Sequence, residues 1–152
     1  GWFERALRSV PTEAAGPVWR QRLEFAMGVE GAPPSQVHAL VKRAFSSGCE
    51  GVEEIVQQWR AWVCVTGARE DAGGVRSTVR SLLALPMPTT DVDKCKAVYH
   101  SLDAAARACG EHEGSAEETK RLRRAVMEAA VTRLGAQDEE VWREYEQAER
   151  SW

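Results

Sequence analysis

The sequence predicts an all-α chain built as an α-solenoid of antiparallel helix pairs. Three observations carry that expectation. Aromatic residues return at a spacing of about 40: Trp59 follows Trp19 by 40 residues, Tyr99 follows by another 40, and Trp142 by a further 43. A second series interleaves with the first, an apolar–charged–variable–apolar–apolar pattern at Phe3–Leu7, Val41–Phe45, Val79–Leu83 and Met127–Val131. Only 12 Gly and 6 Pro stand among the 152 residues, and β-branched runs are absent, so little favours strands. Two alternating helical patterns describe a unit of two helices, A with an aromatic pair and B with a small residue in its fourth slot. Neither helix buries its apolar face alone, so stacking of units provides the core.

Trp2 to Val10 reads as a helix B, with Ala6 in the small slot and no helix A before it. The chain is therefore expected to begin in mid-repeat, as a segment of a longer array. Pro11 and Gly16-Pro17 interrupt it. The first complete repeat spans about 18–46. Trp19 opens its helix A, Arg22 stands where a second aromatic is expected, and Leu23 and Phe25 supply apolar bulk. A turn over 28–34 leads to Ser35, a candidate cap, and to a helix B on which Val37, Val41, Ala44 and Phe45 hold the i, i+4, i+7 and i+8 positions.

The second repeat spans about 52–85. Ile55, Trp59, Trp62 and Val63 share one stripe of its helix A, and Cys64 reads as a small buried hydrophobe. Gly67 and Gly73-Gly74 are expected to bracket a loop before Val75, Val79, Leu82 and Leu83, and Pro86 and Pro88 stop the helix. The third repeat spans about 91–134. Its Ala-rich helix A, 91–109, places Tyr99 and Leu102 in the aromatic slots; a polar insertion over 110–118 widens the B spacing to 48; and its helix B, 117–134, carries Ala130 and ends at Gly135 as a C-cap. The last helix A covers about 138–150, with its own helix B missing. Asp138 caps it, Glu139 and Glu140 suit the positive end of the helix dipole, and Trp142, Tyr145 and Ala148 fall three apart along one stripe.

Composition narrows the chemistry. With 43% apolar and 28% charged residues the chain can bury a sizeable core, and a net charge of −3 makes no case for nucleic acid binding by the chain as a whole. No apolar stretch approaches the roughly 20 residues that span a bilayer, so no membrane partner is expected, and the opening residues do not read as a secretory leader. Cys49, Cys64, Cys95 and Cys109 form no Cys-x-x-Cys pair and read as reduced thiols of a cytosolic or nuclear protein.

No catalytic, cofactor or metal site is expected. His38, His100 and His112 lie on separate segments. Cys109 and His112 have a Cys-x-x-His spacing with Cys95 and His100 upstream, but nothing pairs them into two halves of a zinc site. No phosphate-binding glycine loop or nucleophile motif is present. Lys120-Arg-Leu-Arg-Arg124 is the basic cluster. Leu122 belongs to a core face, so Lys120, Arg121 and Arg124 turn outward, either to contact phosphates or as a solvated face paired with Glu117 and Glu118. Aromatics at helical spacing are usually core, so Trp19, Trp59, Trp62 and Trp142 are read as structural; Trp2 and Trp152 lie at the two ends, where either could meet a partner.

Trp-x-x-Tyr followed by an acidic residue, alternating with Phe-Glu-Arg-Ala-Leu, resembles the half-a-TPR (HAT) repeat of RNA-processing scaffolds. Gln58-Trp-Arg-Ala-Trp62, Val79-Arg-Ser-Leu82 and Leu134-Gly-Ala-Gln-Asp-Glu-Glu-Val-Trp-Arg-Glu-Tyr145 are most similar to HAT proteins associated with the U3 small nucleolar RNA. The chain departs from the pattern at Arg22, at Leu82 in a small slot, and in the insertion over 110–118. The resemblance implies a non-catalytic subunit of the UTP-B subcomplex of the small-subunit processome. Such a subunit acts in ribosomal RNA precursor processing and small-subunit assembly, in the nucleolus. Its implied partners are other UTP-B members, including WD-repeat propellers, with U3 ribonucleoprotein and precursor RNA contacted indirectly. The alternatives are a HAT scaffold of splicing or messenger RNA 3′-end processing, and an RNA-binding helical module.

Overall fold

The computed structural model describes residues 1–28, 33–112 and 116–152, and among them the regular structure is helical, with no strand. The α-helices are α1 (Trp2–Ser9), α2 (Gly16–Gly28), α3 (Pro34–Ser47), α4 (Val52–Trp62), α5 (Ala68–Ala84), α6 (Val92–His112), α7 (Ala116–Leu134) and α8 (Glu139–Ser151). A 3₁₀ turn, Thr12–Ala14, precedes α2, and a π-helical turn, Val63–Gly67, joins α4 to α5.

The main packing follows chain order. Helix α2 lies on α3 and α4, α3 on α4 and α5, α4 on α6, α5 on α6 and α7, α6 on α7, and α7 on α8. Each helix thus packs chiefly on those one or two places away, and the apolar residues run through the molecule as one continuous core. Its centre is formed by Ile55, Val56, Trp59, Val63, Val75 and Val79, none of which has measurable exposure. Between α3 and α4 the chain reverses through Gly48 (φ 76°) and Gly51 (φ 79°), left-handed conformations that favour glycine.

Several expectations need correction. No loop separates α4 from α5: residues 63–84 stay helical apart from Asp71, whose φ of −154° and ψ of 62° break the run at one residue. Asp71 acts as an N-cap there, its Oδ1 accepting the Gly74 N–H at 3.1 Å. The chain therefore passes from α4 to α5 through helical turns with one kink, at Asp71. Within the π turn a Cβ on Gly67 would stand 2.6 Å from the Trp62 ring, so the indole lies directly on the glycine backbone. Ser35 is not the cap of α3, which starts with Pro34 at its first turn after Pro33. Gly135 does not end α7 with a left-handed cap, because its φ is not positive. Helix α6 runs on to His112, through the start of the expected polar insertion. The rest of that insertion at 113–115, and the turn residues 29–32, lie outside the described residues.

At the other end of the chain Asp138 does cap α8, its Oδ1 accepting the Glu140 N–H at 2.9 Å. The buried stripe of α8, however, is led by Val141 (5% exposed), not Trp142 (45% exposed), with Tyr145 and Ala148 half-buried beside it.

Candidate functional site

Two places combine polar groups with apolar packing. The first is the junction of α3, α4 and α5. His38 faces inward from α3 at 4% exposure, and its ring meets Trp59 and Trp62 edge to face at 6.0 and 5.5 Å. The Trp59 indole N–H donates to His38 Nδ1 at 3.2 Å. An indole can only donate, so Nδ1 accepts and the neutral ring carries its proton on Nε2. Nε2 lies 3.5 Å from Asp71 Oδ2, too poorly aligned for a hydrogen bond but close enough for the carboxylate to act on the ring. Burial lowers the His38 pKa below its ordinary value; Asp71 opposes that shift and Lys42 adds to it. With both ring nitrogens turned to protein groups, this is a tie between three helices and not an exposed acid or base.

The second place is the seam where α8 meets α6 and α7. Tyr99 from α6, and Val126, Met127, Ala130 and Leu134 from α7, form an apolar floor on which Val141 rests. Ion pairs and a histidine–carboxylate contact rim it. Lys96 Nζ lies 3.1 Å from Asp138 Oδ2 and 2.9 Å from Glu140 Oε2, and His100 Nε2 lies 3.0 Å from Glu144 Oε2. Arg124 holds Glu149 through Nε at 3.0 Å and Nη2 at 3.4 Å. The guanidinium carbons of Arg123 and Arg124 lie 5.5 and 5.3 Å from the centre of the Trp152 ring. The two carboxylates beside Lys96 hold its ammonium well above the usual lysine pKa, and Lys96 in turn lowers that of Asp138.

Some of the residues singled out from the sequence fall in these places and others elsewhere in the core. Trp59 and Trp62 belong to the first, Trp62 half-buried. Trp19 is buried, with Phe3 edge-on at 5.1 Å and the Arg43 guanidinium 5.2 Å from its ring centre. Ala44 and Ala130 are buried and Ala6 is half-buried. Tyr99, 7% exposed, belongs to the second place, where burial raises its phenol pKa. Trp142 stands at the edge, edge-on to Tyr145 at 6.4 Å and against Gly135, where a Cβ would come 2.5 Å from the indole Nε1.

In the basic cluster, Lys120 pairs with Glu117 at 3.6 Å, Arg124 is held by Glu149, and Arg121 is exposed. Arg123 reaches the buried carboxylate of Asp103 at 3.0 Å, which Arg107 also approaches at 3.5 Å. Sequence reading passed over Asp103, Lys96 and Glu149. Apart from Arg107, four residues after Asp103, their partners lie 20 or more residues away, where no local spacing announces them. Asp71 carried a signal: an Asp standing just before the Val75–Val79–Leu82 face is a helix-start pattern.

The thiols are dispersed. Cys49, Cys95 and Cys109 are buried; Cys64, expected inside, is exposed, because a position nine residues after Ile55 and five after Trp59 falls on the opposite side of the helix from their stripe. Cys109 Sγ donates to the Ala72 carbonyl at 3.6 Å and Cys95 Sγ to the Thr89 carbonyl at 3.3 Å. Burial pushes the Cys109 pKa up to about 11, so it is held as a thiol. The His112 side chain lies outside the described atoms; among the described residues no three His, Cys, Asp or Glu side chains converge on a metal position. No helix among the described residues is long and apolar enough to cross a membrane. No family model matches the chain, and no curated protein or solved structure does so either.

Proposed function

We propose that this chain is a non-catalytic helical scaffold, an α-solenoid of HAT type whose work is to hold other proteins together. The observation that carries this reading is the packing order, in which each helix leans chiefly on those one or two places away. Such quasi-one-dimensional packing is how stacked helix pairs build an extended surface for partners. The π turn and the kink at Asp71 between α4 and α5 depart from a regular hairpin turn.

The resemblance to U3-associated HAT proteins extends the proposal. The chain acts within the UTP-B subcomplex of the small-subunit processome, in the nucleolus, beside other UTP-B members such as WD-repeat propellers. U3 ribonucleoprotein and precursor RNA are then met indirectly. Against a direct RNA-binding role stands the engagement of Arg123, Arg124 and Lys120 with carboxylates.

Affinity purification of the full-length protein with and without ribonuclease, read by mass spectrometry, tests both levels. UTP-B subunits surviving ribonuclease are the expected result. Splicing or 3′-end factors in their place would move the scaffold to another RNA-processing complex. Loss of every partner with ribonuclease, together with RNA binding that falls steeply with salt, would replace it by an RNA-binding module.

A further inference from the structure

The seam under α8 has the form of a receptor site with its ligand in place. Helix α8 is acidic and buries only Val141 fully. Tyr145 and Ala148 are half-buried beside it and Trp142 lies against Gly135, and around these runs rim chemistry: Asp138 and Glu140 on Lys96, Glu144 on His100, Glu149 on Arg124, and Trp152 beneath Arg123 and Arg124. Solvent-exposed ion pairs add little net stability but set register and steer encounter. Lys96, His100 and Arg124 come from α6 and α7, and the acids that meet them come from α8 or its cap, whereas Arg123 is held by Asp103 of α6 and meets α8 only through Trp152. Charge complementarity across this seam is thus one-sided, as between a receptor and its ligand.

The fit of the apolar anchor is incomplete. A crevice of about 10 Å³ remains along the seam, room for about one water and lined almost wholly by apolar atoms, with Tyr99, Val126, Met127, Ala130, Leu134 and Val141 among its lining residues.

We infer that the α6–α7 groove is a docking site for an acidic amphipathic helix, which α8 occupies in cis until a partner's helix of the same pattern displaces it. The geometry specifies that pattern relative to the anchor at Val141. Carboxylates stand three and one residues before it, at Asp138 and Glu140, and three and eight after it, at Glu144 and Glu149. An aromatic stands eleven after, at Trp152, and the displacing helix carries a larger apolar residue than valine at the anchor itself. Tethering gives α8 a high effective concentration, so a partner must bind more tightly or arrive held nearby in an assembly. The inference rests on this seam alone and stands whether or not the chain works in the processome.

The test uses the whole chain and, as probe, a fluorescent peptide of residues 138–152 carrying Val141→Leu. Against the wild-type chain, where α8 competes, binding is expected to be at least about tenfold weaker than against a Val141→Ser chain, where α8 is loosened. Adding Lys96→Glu and Arg124→Glu to the Val141→Ser chain should cost at least about tenfold, and raising salt should weaken binding severalfold. Equal binding to all three chains overturns the inference. So does a Val141→Ser chain that refuses the peptide, or one that only exchanges α8 between two copies and forms a dimer. Hydrogen exchange on the wild-type chain provides a check that no variant can spoil. Amides of α8 should exchange at least about tenfold faster than those of α7, and faster still in high salt; equal, salt-independent protection would exclude a displaceable α8.

Discussion

Trp59-Arg-Ala-Trp62 and Trp142-Arg-Glu-Tyr145 are the same four-residue pattern placed in two surroundings. Trp59 has no measurable exposure, because α4 packs on α2, α3 and α6 and so has helices on several sides. Its indole N–H also finds an acceptor in His38. Trp142 is 45% exposed, because among the described helices α8 packs chiefly on α7, and that contact belongs to Val141. The motif specifies a helix with an aromatic edge. Burial is conferred by the number of neighbours and by which residue meets them first. The two regions also differ in what fastens them, an aromatic and imidazole cluster at one and a rim of ion pairs at the other.

The largest test of that contrast is truncation of the two tryptophans. Trp59→Ala should cost about 3–5 kcal/mol in chemical denaturation, from the cavity and the orphaned His38 acceptor together. Trp142→Ala should cost under about 1 kcal/mol. Similar losses from both would mean that the motif itself, not its neighbours, sets the energetics.

Next in size is Gly67→Ala, which should cost about 1–3 kcal/mol because the new methyl would lie 2.6 Å from the Trp62 ring. Trp62→Leu should recover part of that loss, a non-additive pair in a double-mutant cycle. Strict additivity would show that something other than the indole selects glycine in the π turn.

Asp71→Ala should cost about 1 kcal/mol through loss of the cap on Gly74. Asp71→Asn should keep most of that stability, since the amide oxygen can accept the same N–H. Equal losses from Ala and Asn would assign the role of Asp71 to its charge near His38.

The smallest effect is the pH dependence of the same cluster. The folded His38 pKa lies below its ordinary 6.5, so below that pH the unfolded chain binds more protons than the folded one. Its effect on stability is absent above the ordinary value and grows unfavourable as pH falls through it toward the folded value. Asp71 acts against the shift, so Asp71→Asn should steepen the loss of stability between about pH 7 and 5, and His38→Phe should flatten it. Denaturation midpoints across that range give the slopes. An unchanged slope in the His38→Phe chain would remove this histidine from the acid sensitivity of the fold.

How legible the molecule was in its residues follows the range of the forces involved. The i, i+4, i+7, i+8 faces of α3 and α5 were readable because a helix brings those positions together without help from the rest of the chain. The Asp138 cap was readable for the same reason, since donor and acceptor are two residues apart. The break between α4 and α5 was misplaced because its three glycines looked like a loop. Gly67 is instead the seat of a ring, and Gly74 donates to a capping aspartate.

The sequence by itself determined that the chain is helical, which faces of α3 and α5 are apolar and where one cap stands. These are consequences of backbone geometry and contacts within about a turn. Only the tertiary structure decided that His38 is an internal tie, that Cys64 and Trp142 face outward, and that Lys96 and Arg124 grip the carboxylates of α8. Each of those outcomes depends on groups 20 or more positions apart in the chain or on the count of surrounding helices. Side-chain spacing along one helix carries no information about either until the helices are packed.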